Sequence, residues 1–271
     1  MLNSGSYNLT NESQSKEDEL KRLMAQIELC WKKEFQILEC IGLTNDHSVL
    51  EVGSGPGYYT EKLINQWPGA VLTVIETDID MITLAKENLN QYKNKIHFIN
   101  GSTYDTGLIS ESFDFIIARF VFQHLDNPVE AAVELKRLLK PKGKLVIIDI
   151  DANLYGIVSP YFKGLEPVYK KHAIAQAKRG GNRLIGRDLW KILTRIGLNN
   201  TDIHAYVYHS DETGLDAFDA QICPERFLPL LKEGIIEQEE YDTLVWSFQE
   251  FKNTPGAYIL MAGLIAVGEK N

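Results

Sequence analysis

Cysteine is scarce in this 271-residue chain, and the three cysteines form no Cys-x-x-Cys pair. Cys30, Cys40 and Cys223 therefore supply neither a disulfide scaffold nor a zinc framework, and we predict no metal site. No apolar run approaches the roughly 18 residues that a transmembrane helix needs. The opening residues, MLNSGSYNLTNESQSKEDE, lack the apolar segment of a secretory signal. These absences predict a reduced, cytoplasmic protein that does not enter membranes.

Positive charge is also in short supply. Lys and Arg number 28 and Asp and Glu 37, which gives a formal net charge of −9. This balance argues against a long phosphate backbone as the main partner, so we expect no nucleic-acid binding. The chain is long enough to bury a full core without covalent crosslinks. The sequence carries no signal for an oligomeric state.

The order of the predicted elements indicates an α/β protein. From Glu17 to about Ile41, apolar residues recur at spacings of three and four, which is typical of an amphipathic helix. Short apolar strands then alternate with helices as far as Asp151, as in a parallel sheet covered on both faces. The predicted strands are SVLEVG, VLTVIE, KIHFIN, SFDFIIAR and GKLVIIDID.

Beyond Asp151 this alternation stops. Aromatic, glycine and basic residues mix in the next stretch, which we predict to be a helical insertion with a loop. The helix GRDLWKILTRIG, the strand TDIHAYVYHS, a second helical stretch and the strand AYILMAGLIAVGE follow. The predicted parts are a tail and cap helix (1–41), a cofactor-binding core (42–151), a cap insertion (152–185) and a C-terminal part of the sheet (186–271) with a helical insertion at about 211–256.

The sharpest local feature is the segment VLEVGSGPG, in which a strand enters a glycine-rich turn and then a helix. Gly53, Gly55 and Gly57 let the backbone approach a ligand closely, and the helix N-terminus offers N–H groups to it. Glu76 ends the next strand, where a carboxylate can accept hydrogen bonds from both ribose hydroxyls. The pattern predicts a nucleotide-like cofactor, unless the glycines only form a tight corner.

Two cofactors fit such a turn. A dinucleotide fingerprint requires a glycine at position 58, where this chain has Tyr58. Glu51, two residues before Gly53, favours a ligand that carries an ammonium and a sulfonium, and it would repel a pyrophosphate. The sequence therefore favours S-adenosylmethionine, and an NAD-dependent oxidoreductase is the less favoured alternative.

Taken in order, these motifs resemble the class I S-adenosylmethionine-dependent methyltransferases over roughly residues 45–151. The resemblance rests on VLEVGSGPG, VIETDIDMITLAKEN, NGSTYD, SFDFIIARFVFQHLDNP and LLKPKGKLVIID. It implies a Rossmann-like, doubly wound seven-stranded sheet with an antiparallel last strand and helical cap insertions. The cofactor contacts that we expect are Glu51, Gly53, Gly55, Gly57, Glu76, Thr77, Ser102, Thr103, Ala118, Arg119 and Phe120.

The adenine contact departs from the family pattern. Family members often have an acid where Ser102 stands, and that acid accepts a hydrogen bond from the adenine amino group. In this chain the acceptor is the Ser102 hydroxyl, Asp105 or a backbone carbonyl, and the sequence does not choose among them.

The sequence offers few candidates for a general base in the predicted site. Methyl transfer requires a base only when the nucleophile arrives protonated. His124 is the candidate because it follows the fourth strand on the cofactor side, although it alternatively caps the loop before Pro128. Asp149 and Asp151 end the fifth strand and are either ligand contacts or loop caps.

The substrate is expected to be a small organic molecule. The fourth strand ends in Ala118-Arg119-Phe120, without the Asn/Asp-Pro-Pro-aromatic motif of methylases that act on exocyclic or amide nitrogens. Tyr155 and Tyr161 belong to the insertion that should roof the site. The stretch from Lys178 to Arg183 either binds an acidic substrate group or is a solvated loop. The alternatives are a protein-modifying or RNA-directed methyltransferase and a non-catalytic cofactor-binding protein.

Overall fold

A computed structural model describes residues 6–7, 13–154 and 156–271 of the chain. Within these ranges, no helix is both long enough and apolar enough to cross a bilayer. The strands are β1 Ser48–Val52, β2 Val71–Glu76, β3 Ile96–Asn100, β4 Phe113–Arg119, β5 Leu139–Asp149, β6 Ile157–Ser159, β7 Asn199–His209 and β8 Tyr258–Glu269. The α-helices are α1 Lys16–Cys40, α2 Tyr58–Gln66, α3 Ile79–Asn88, α4 Pro128–Leu138, α5 Leu165–Lys178, α6 Leu189–Arg195, α7 Ser210–Thr213, α8 Asp219–Ile222, α9 Leu228–Lys232 and α10 Gln238–Asn253.

The predicted Rossmann-like sheet is confirmed. The strand order is β3-β2-β1-β4-β5-β8, with β7 on β8, and the pairs from β3 to β5 are parallel. β8 runs antiparallel to both β5 and β7. The chain order reverses between β1 and β4, and open sheets of this type hold ligands beyond the carboxyl ends of the strands at that point.

Both faces of the sheet are buried. Neighbouring residues of β1 point to opposite sides, so Val49 joins a cluster that contains Leu38 of α1, whereas Leu50 joins one that contains Leu135 of α4. This double burial explains why the strands are almost continuously apolar.

In the part of the chain that the structure describes, the sheet has eight strands, one more than the family resemblance implies. The additional strand, β6, lies inside the stretch that the sequence indicated as helical. β8 extends beyond the last residue of β5, because Asp149 already pairs with Leu264. β6 pairs with this overhang, and Leu260 contacts both Ile157 and His209. The short strand thereby satisfies backbone groups that would otherwise lack partners.

The stretch predicted as helical at about 211–256 is helical, but prolines such as Pro224 and Pro229 start new turns, so that α10 is the one long helix in it. The segment Pro141-Lys142-Gly143 lies within β5, which begins at Leu139. The strand is irregular at this point: its register against β4 shifts, and Lys142 has a positive φ of 65°.

Candidate active site

A cavity of about 510 Å³ opens beyond the carboxyl ends of β1, β2 and β4. Its wall combines the glycine-rich turn after β1 with α1 and with segments from the two cap regions. The predicted cofactor contacts that line it are Glu51, Gly53, Gly55, Glu76, Thr77, Ser102, Thr103, Arg119 and Phe120, and the predicted base His124 lines it as well.

Two of the predicted contacts lie outside this wall. Gly57 is the N-cap of α2 with a φ of 82°, and a Cβ there would lie 3.1 Å from the Cβ of Ala85 on α3. Ala118 is fully buried in β4, where it pairs with Val52 and Ile147. The geometry gives both residues packing roles, because neither has a surface that faces the cavity.

The glycine-rich turn and the end of β2 are joined by Glu76. The Gly55 N–H donates to Glu76 Oε2 at 2.9 Å, and the Thr77 N–H donates to Oε1 at 2.7 Å. Gly55 has a φ of 51°, and a Cβ at this position would meet no atom within 4 Å. Oε2 accepts one bond there and keeps a lone pair for a further donor. The turn is therefore pre-shaped around an acceptor that lines the cavity.

Glu51 is the acid beneath this turn. Its side chain is buried, and Oε2 has no hydrogen-bond partner among the described residues. Burial raises the pKa of the Glu51 carboxyl to about 8, because desolvation penalises the charged form. A cationic ligand group placed beside Glu51 would restore the charged form and satisfy the orphaned oxygen.

A buried ion pair at the end of β4 is not among the features predicted from the sequence. The Arg119 guanidinium donates to both carboxylate oxygens of Glu34, at 2.8 and 3.1 Å, and Tyr206 donates to Glu34 Oε1 at 2.8 Å. Arg119 also lies 4.4 Å from the ring centroid of Phe120, whose φ of 55° is unusual for a non-glycine residue. The sequence contains one indication of this pair. Glu34 is an acidic residue four positions before Leu38, so it lies on the buried face of α1, where a charge needs a partner.

His124 is held within a hydrogen-bonding network. Its Nδ1 lies 3.2 Å from Gln176 Nε2 and 3.1 Å from the Ser6 hydroxyl. The Gln176 amide is oriented by two other bonds, since Nε2 donates to the Gln123 carbonyl and Oε1 accepts from Arg183. Gln176 therefore offers a donor to Nδ1, which favours the tautomer that carries its proton on Nε2. This tautomer suits a hydrogen-bond donor better than a general base.

The two aspartates after β5 have structural partners. Asp149 accepts from the Gln123 and Ile150 N–H groups at 3.0 and 2.9 Å, and burial raises the pKa of its carboxyl to about 7. Asp151 forms a two-bond ion pair with Arg187 at 2.6 and 2.8 Å. Both aspartates therefore hold loop segments in place, as one of the two predicted alternatives states. Neither of them is part of the cavity wall.

Part of the N-terminal tail lies against the site. The Ser6 N–H donates to the His124 carbonyl at 2.8 Å, and the ring of Tyr7 lies 5.2 Å from that of His124. The Tyr7 hydroxyl donates to Glu19 Oε1, and Glu19 also pairs with Arg22. Of the two tyrosines assigned to the roof, Tyr155 lies outside the described residues, and Tyr161 is exposed.

The basic residues from Lys178 to Arg183 do not all have the same surroundings. Some lie at the cavity, and others lie on the surface, as the solvated-loop alternative predicts. Arg183 is buried and lines the cavity, whereas Lys178 is exposed and Arg179 lies 3.5 Å from Glu233. The C-terminal insertion adds Gln221 and Arg226 to the same wall, and the sequence did not single out either residue.

The sheet order, the glycine-rich turn and the acid at the end of β2 together define a nucleoside-binding protein of the Rossmann-like class. Residues 50–147 match the sequence family described as a methyltransferase domain. This match agrees with the resemblance to the class I S-adenosylmethionine-dependent methyltransferases that the sequence motifs show.

Two curated relatives illustrate the similarity. The chain is 26% identical over 195 residues to a malonyl-(acyl-carrier protein) O-methyltransferase of Paenibacillus sp. strain JDR-2, covering 70% of this chain and 66% of the relative. It is 31% identical over 111 residues to a trans-aconitate 2-methyltransferase of Rhodopseudomonas palustris, covering 41% of each. The matched segments thus span less than two thirds of the relatives' own lengths.

Solved structures share the fold at low identity. Phosphoethanolamine N-methyltransferase 2 of Haemonchus contortus, in complex with S-adenosyl-L-methionine, superposes with a TM-score of 0.56. The match covers 89% of this chain and 52% of that chain at 17% identity.

Proposed function

We propose that this protein transfers the methyl group of S-adenosylmethionine to a small organic molecule. The observation that carries the proposal is the arrangement of Glu51, Gly55 and Glu76 around one end of the cavity. Glu51 supplies a buried oxygen without a partner among the described residues, as the ammonium of the cofactor requires. Glu76 Oε2 supplies an acceptor for a ribose hydroxyl, and Ser102 and Thr103 line the cavity after β3.

Under this proposal, fewer groups remain as candidate acceptors for the adenine amino group. Asp105 is exposed and is not part of the cavity wall. The Ser102 hydroxyl accepts from the Tyr104 N–H at 3.2 Å and keeps a second lone pair. The Ser102 hydroxyl and a backbone carbonyl of its segment are therefore the two remaining candidates for the acceptor of the adenine amino group.

The protein's part in the reaction is to position the reactants and exclude water. When bound, the cofactor supplies an activated methyl group on a good leaving group. The turn at Gly55, Phe120, Tyr7 and His124 all line the cavity. The bonds from Ser6 and Gln176 fix the orientation of the His124 imidazole in this wall. Holding reactants in line accounts for much of the acceleration in such displacements.

Calorimetric titration with S-adenosylhomocysteine tests the proposed function directly. We expect saturable 1:1 binding of S-adenosylhomocysteine and no heat from NADH, because Tyr58 stands where a dinucleotide-binding turn requires a glycine. Binding of NADH with no binding of S-adenosylhomocysteine would overturn the proposal in favour of an oxidoreductase.

Proton release should accompany cofactor binding. Glu51 has a raised pKa of about 8, so it is mostly protonated in the empty site at pH 7. An ammonium beside it lowers that pKa, so binding should expel close to one proton and affinity should rise from pH 6 to about 8. Calorimetry in two buffers of different ionisation enthalpy measures the proton count.

A Glu51→Gln variant is the control for this prediction, because it cannot titrate. It should release no proton, even though Asp149 also titrates near neutral pH. An unchanged proton count in the variant would show that another group is responsible.

The N-terminal tail is predicted to be protected when the cofactor is bound. Ser6 and Tyr7 already contact His124 in the cavity wall, and a ligand there would add contacts to Tyr7. Trypsin cleavage after Lys16, followed by mass spectrometry, should become several-fold slower with saturating S-adenosylhomocysteine. Equal cleavage rates with and without the ligand would contradict this role of the tail.

A further inference from the structure

Glu19 is a buried carboxylate that accepts hydrogen bonds from several side chains at once. Its side chain is 0% exposed. Oε1 accepts from the Tyr7 hydroxyl at 2.8 Å and from Arg22 Nη2 at 2.6 Å. Oε2 accepts from the Ser13 hydroxyl at 2.7 Å and from Arg22 Nε at 2.8 Å. Each oxygen thus has two donors, which compensate for the burial of the carboxylate.

The first turn of α1 fixes the position of this carboxylate. Ser15 is the N-cap of the helix, and the Glu19 N–H donates to the Ser15 carbonyl at 3.1 Å. Arg22 follows three residues later on the same helix face, so its guanidinium reaches both carboxylate oxygens. An acid near the start of a helix also interacts favourably with the helix dipole. Glu19 is therefore held by the helix itself, and the tail residues bind to it.

Two of the donors belong to the N-terminal tail. Ser13 is buried and Tyr7 is half-buried. Tyr7 is held from two sides, because its hydroxyl donates to Glu19 and its ring lies 5.2 Å from that of His124. The residue before it, Ser6, donates its N–H to the His124 carbonyl at 2.8 Å. A hydroxyl binds a carboxylate more strongly than a neutral acceptor, so Glu19 is a strong anchor for the tail.

The partners of Glu19 reach the cavity, although Glu19 does not. Tyr7 and Arg22 both line the cavity, whereas Glu19 is not part of its wall. Glu19 can therefore act on a ligand only through these two side chains. A side chain that is ordered before the ligand arrives costs less conformational entropy when the ligand binds.

We propose that Glu19 is a positioning residue, which holds Tyr7 and Arg22 in the cavity wall before a ligand binds. This inference rests on the proposed function and adds to it a residue that lies outside the cavity. The bond between Tyr7 and Glu19 carries the inference, because it joins the N-terminal tail to α1 where both contribute to the wall.

Calorimetric titration of matched variants with S-adenosylhomocysteine measures this role. Tyr7→Phe removes the hydroxyl and keeps the ring, which the ligand must then order itself. Its affinity should be roughly 2- to 10-fold weaker, the usual cost of ordering one side chain. Glu19→Met removes both oxygens from the buried site and should weaken binding at least as much. Glu28→Met, at an exposed position of the same helix, should have no effect. Unchanged affinity in Tyr7→Phe would overturn the proposal, even if Glu19→Met fails to fold.

The double variant Tyr7→Phe/Glu19→Met separates positioning from direct contact. If Tyr7 acts through Glu19, its hydroxyl has no acceptor left to lose once Glu19 is replaced. The double variant should then bind within about twofold of Glu19→Met alone. If the two single effects multiply instead, the Tyr7 hydroxyl acts on the ligand without Glu19, and the proposal is overturned.

Hydrogen exchange without ligand separates this inference from the proposed function. Loss of the charge-assisted bond in Tyr7→Phe should make the neighbouring Ser6 N–H exchange about tenfold faster. The amide of Leu50 in the inner strand β1 should be unaffected, which excludes a global loss of stability. If Ser6 responds in this way but the unaltered protein does not bind S-adenosylhomocysteine, the positioning role stands and the methyltransferase proposal fails. If S-adenosylhomocysteine binds and neither its affinity nor the Ser6 exchange changes in Tyr7→Phe, only the positioning role is refuted.

Discussion

Replacing Glu34 by Ala is expected to lower the free energy of unfolding by about 3–5 kcal/mol, the usual result of breaking a buried ion pair. The Glu34 and Arg119 side chains are 0% and 7% exposed. Removal of the carboxylate leaves the largely buried guanidinium without its counter-charge. It also leaves the Tyr206 hydroxyl without the oxygen to which it donates.

Denaturant unfolding of Glu34→Ala against the unaltered protein measures this loss. The double variant Glu34→Leu/Arg119→Met should recover most of it, because two apolar side chains need no partner. The matched surface control is Glu166→Ala, which breaks the exposed pair with Lys170 and should change stability by less than about 0.5 kcal/mol. A loss in Glu34→Ala no larger than this would show that the ion pair is not a stabilising element.

The double variant also tests the role of Arg119 in the cavity. If it folds stably yet binds S-adenosylhomocysteine more weakly, then Arg119 contributes to the site and not only to the fold. If binding is unchanged, the contact predicted for Arg119 from the sequence is wrong.

Replacing Glu76 by Ala is expected to weaken S-adenosylhomocysteine binding by about 1–3 kcal/mol, or roughly 5- to 150-fold. Two effects add in this variant. The ribose hydroxyls lose their predicted acceptor, and the glycine-rich turn loses the bond from the Gly55 N–H that holds it in shape. Isothermal titration calorimetry gives the change in affinity.

Two further variants show which effect causes the change in affinity. Glu76→Gln keeps one oxygen for Gly55 or Thr77 but loses the charge, so an intermediate affinity is expected. Glu87→Ala removes an exposed acid of α3 that is not part of the cavity wall and should have no effect. Unchanged affinity in Glu76→Ala would refute the ribose assignment.

Much of the fold was predictable from the sequence because its signals are local. The apolar run in β1, the turn at Gly53 and Gly55 and the position of Glu76 after β2 lie within about 30 residues of one another. A parallel strand buried on both faces needs apolar residues throughout, so its sequence identifies it without knowledge of its neighbours. The order of strands and helices then restricts the topology to a few arrangements.

The part of the cavity wall that comes from the C-terminal insertion was not predictable in the same way. The insertion at 211–256 has no single periodicity because prolines divide it into short turns. Gln221 and Arg226 therefore carried no recognisable motif. The wall becomes apparent only when this insertion packs beside α5, whose Tyr169 contacts both residues.

The class of fold, the glycine-rich turn and the acids around it could be predicted from the sequence, because each depends on neighbours along the chain and on residue types that only a few conformations tolerate. The pairing of Arg119 with Glu34 across 85 residues and the position of Gln221 in the cavity wall result from the packing of distant segments. Side chains so far apart in sequence meet because helices and loops are packed against a common sheet. The partner of a buried charge or amide is therefore set by that packing and not by the residues beside it in the chain.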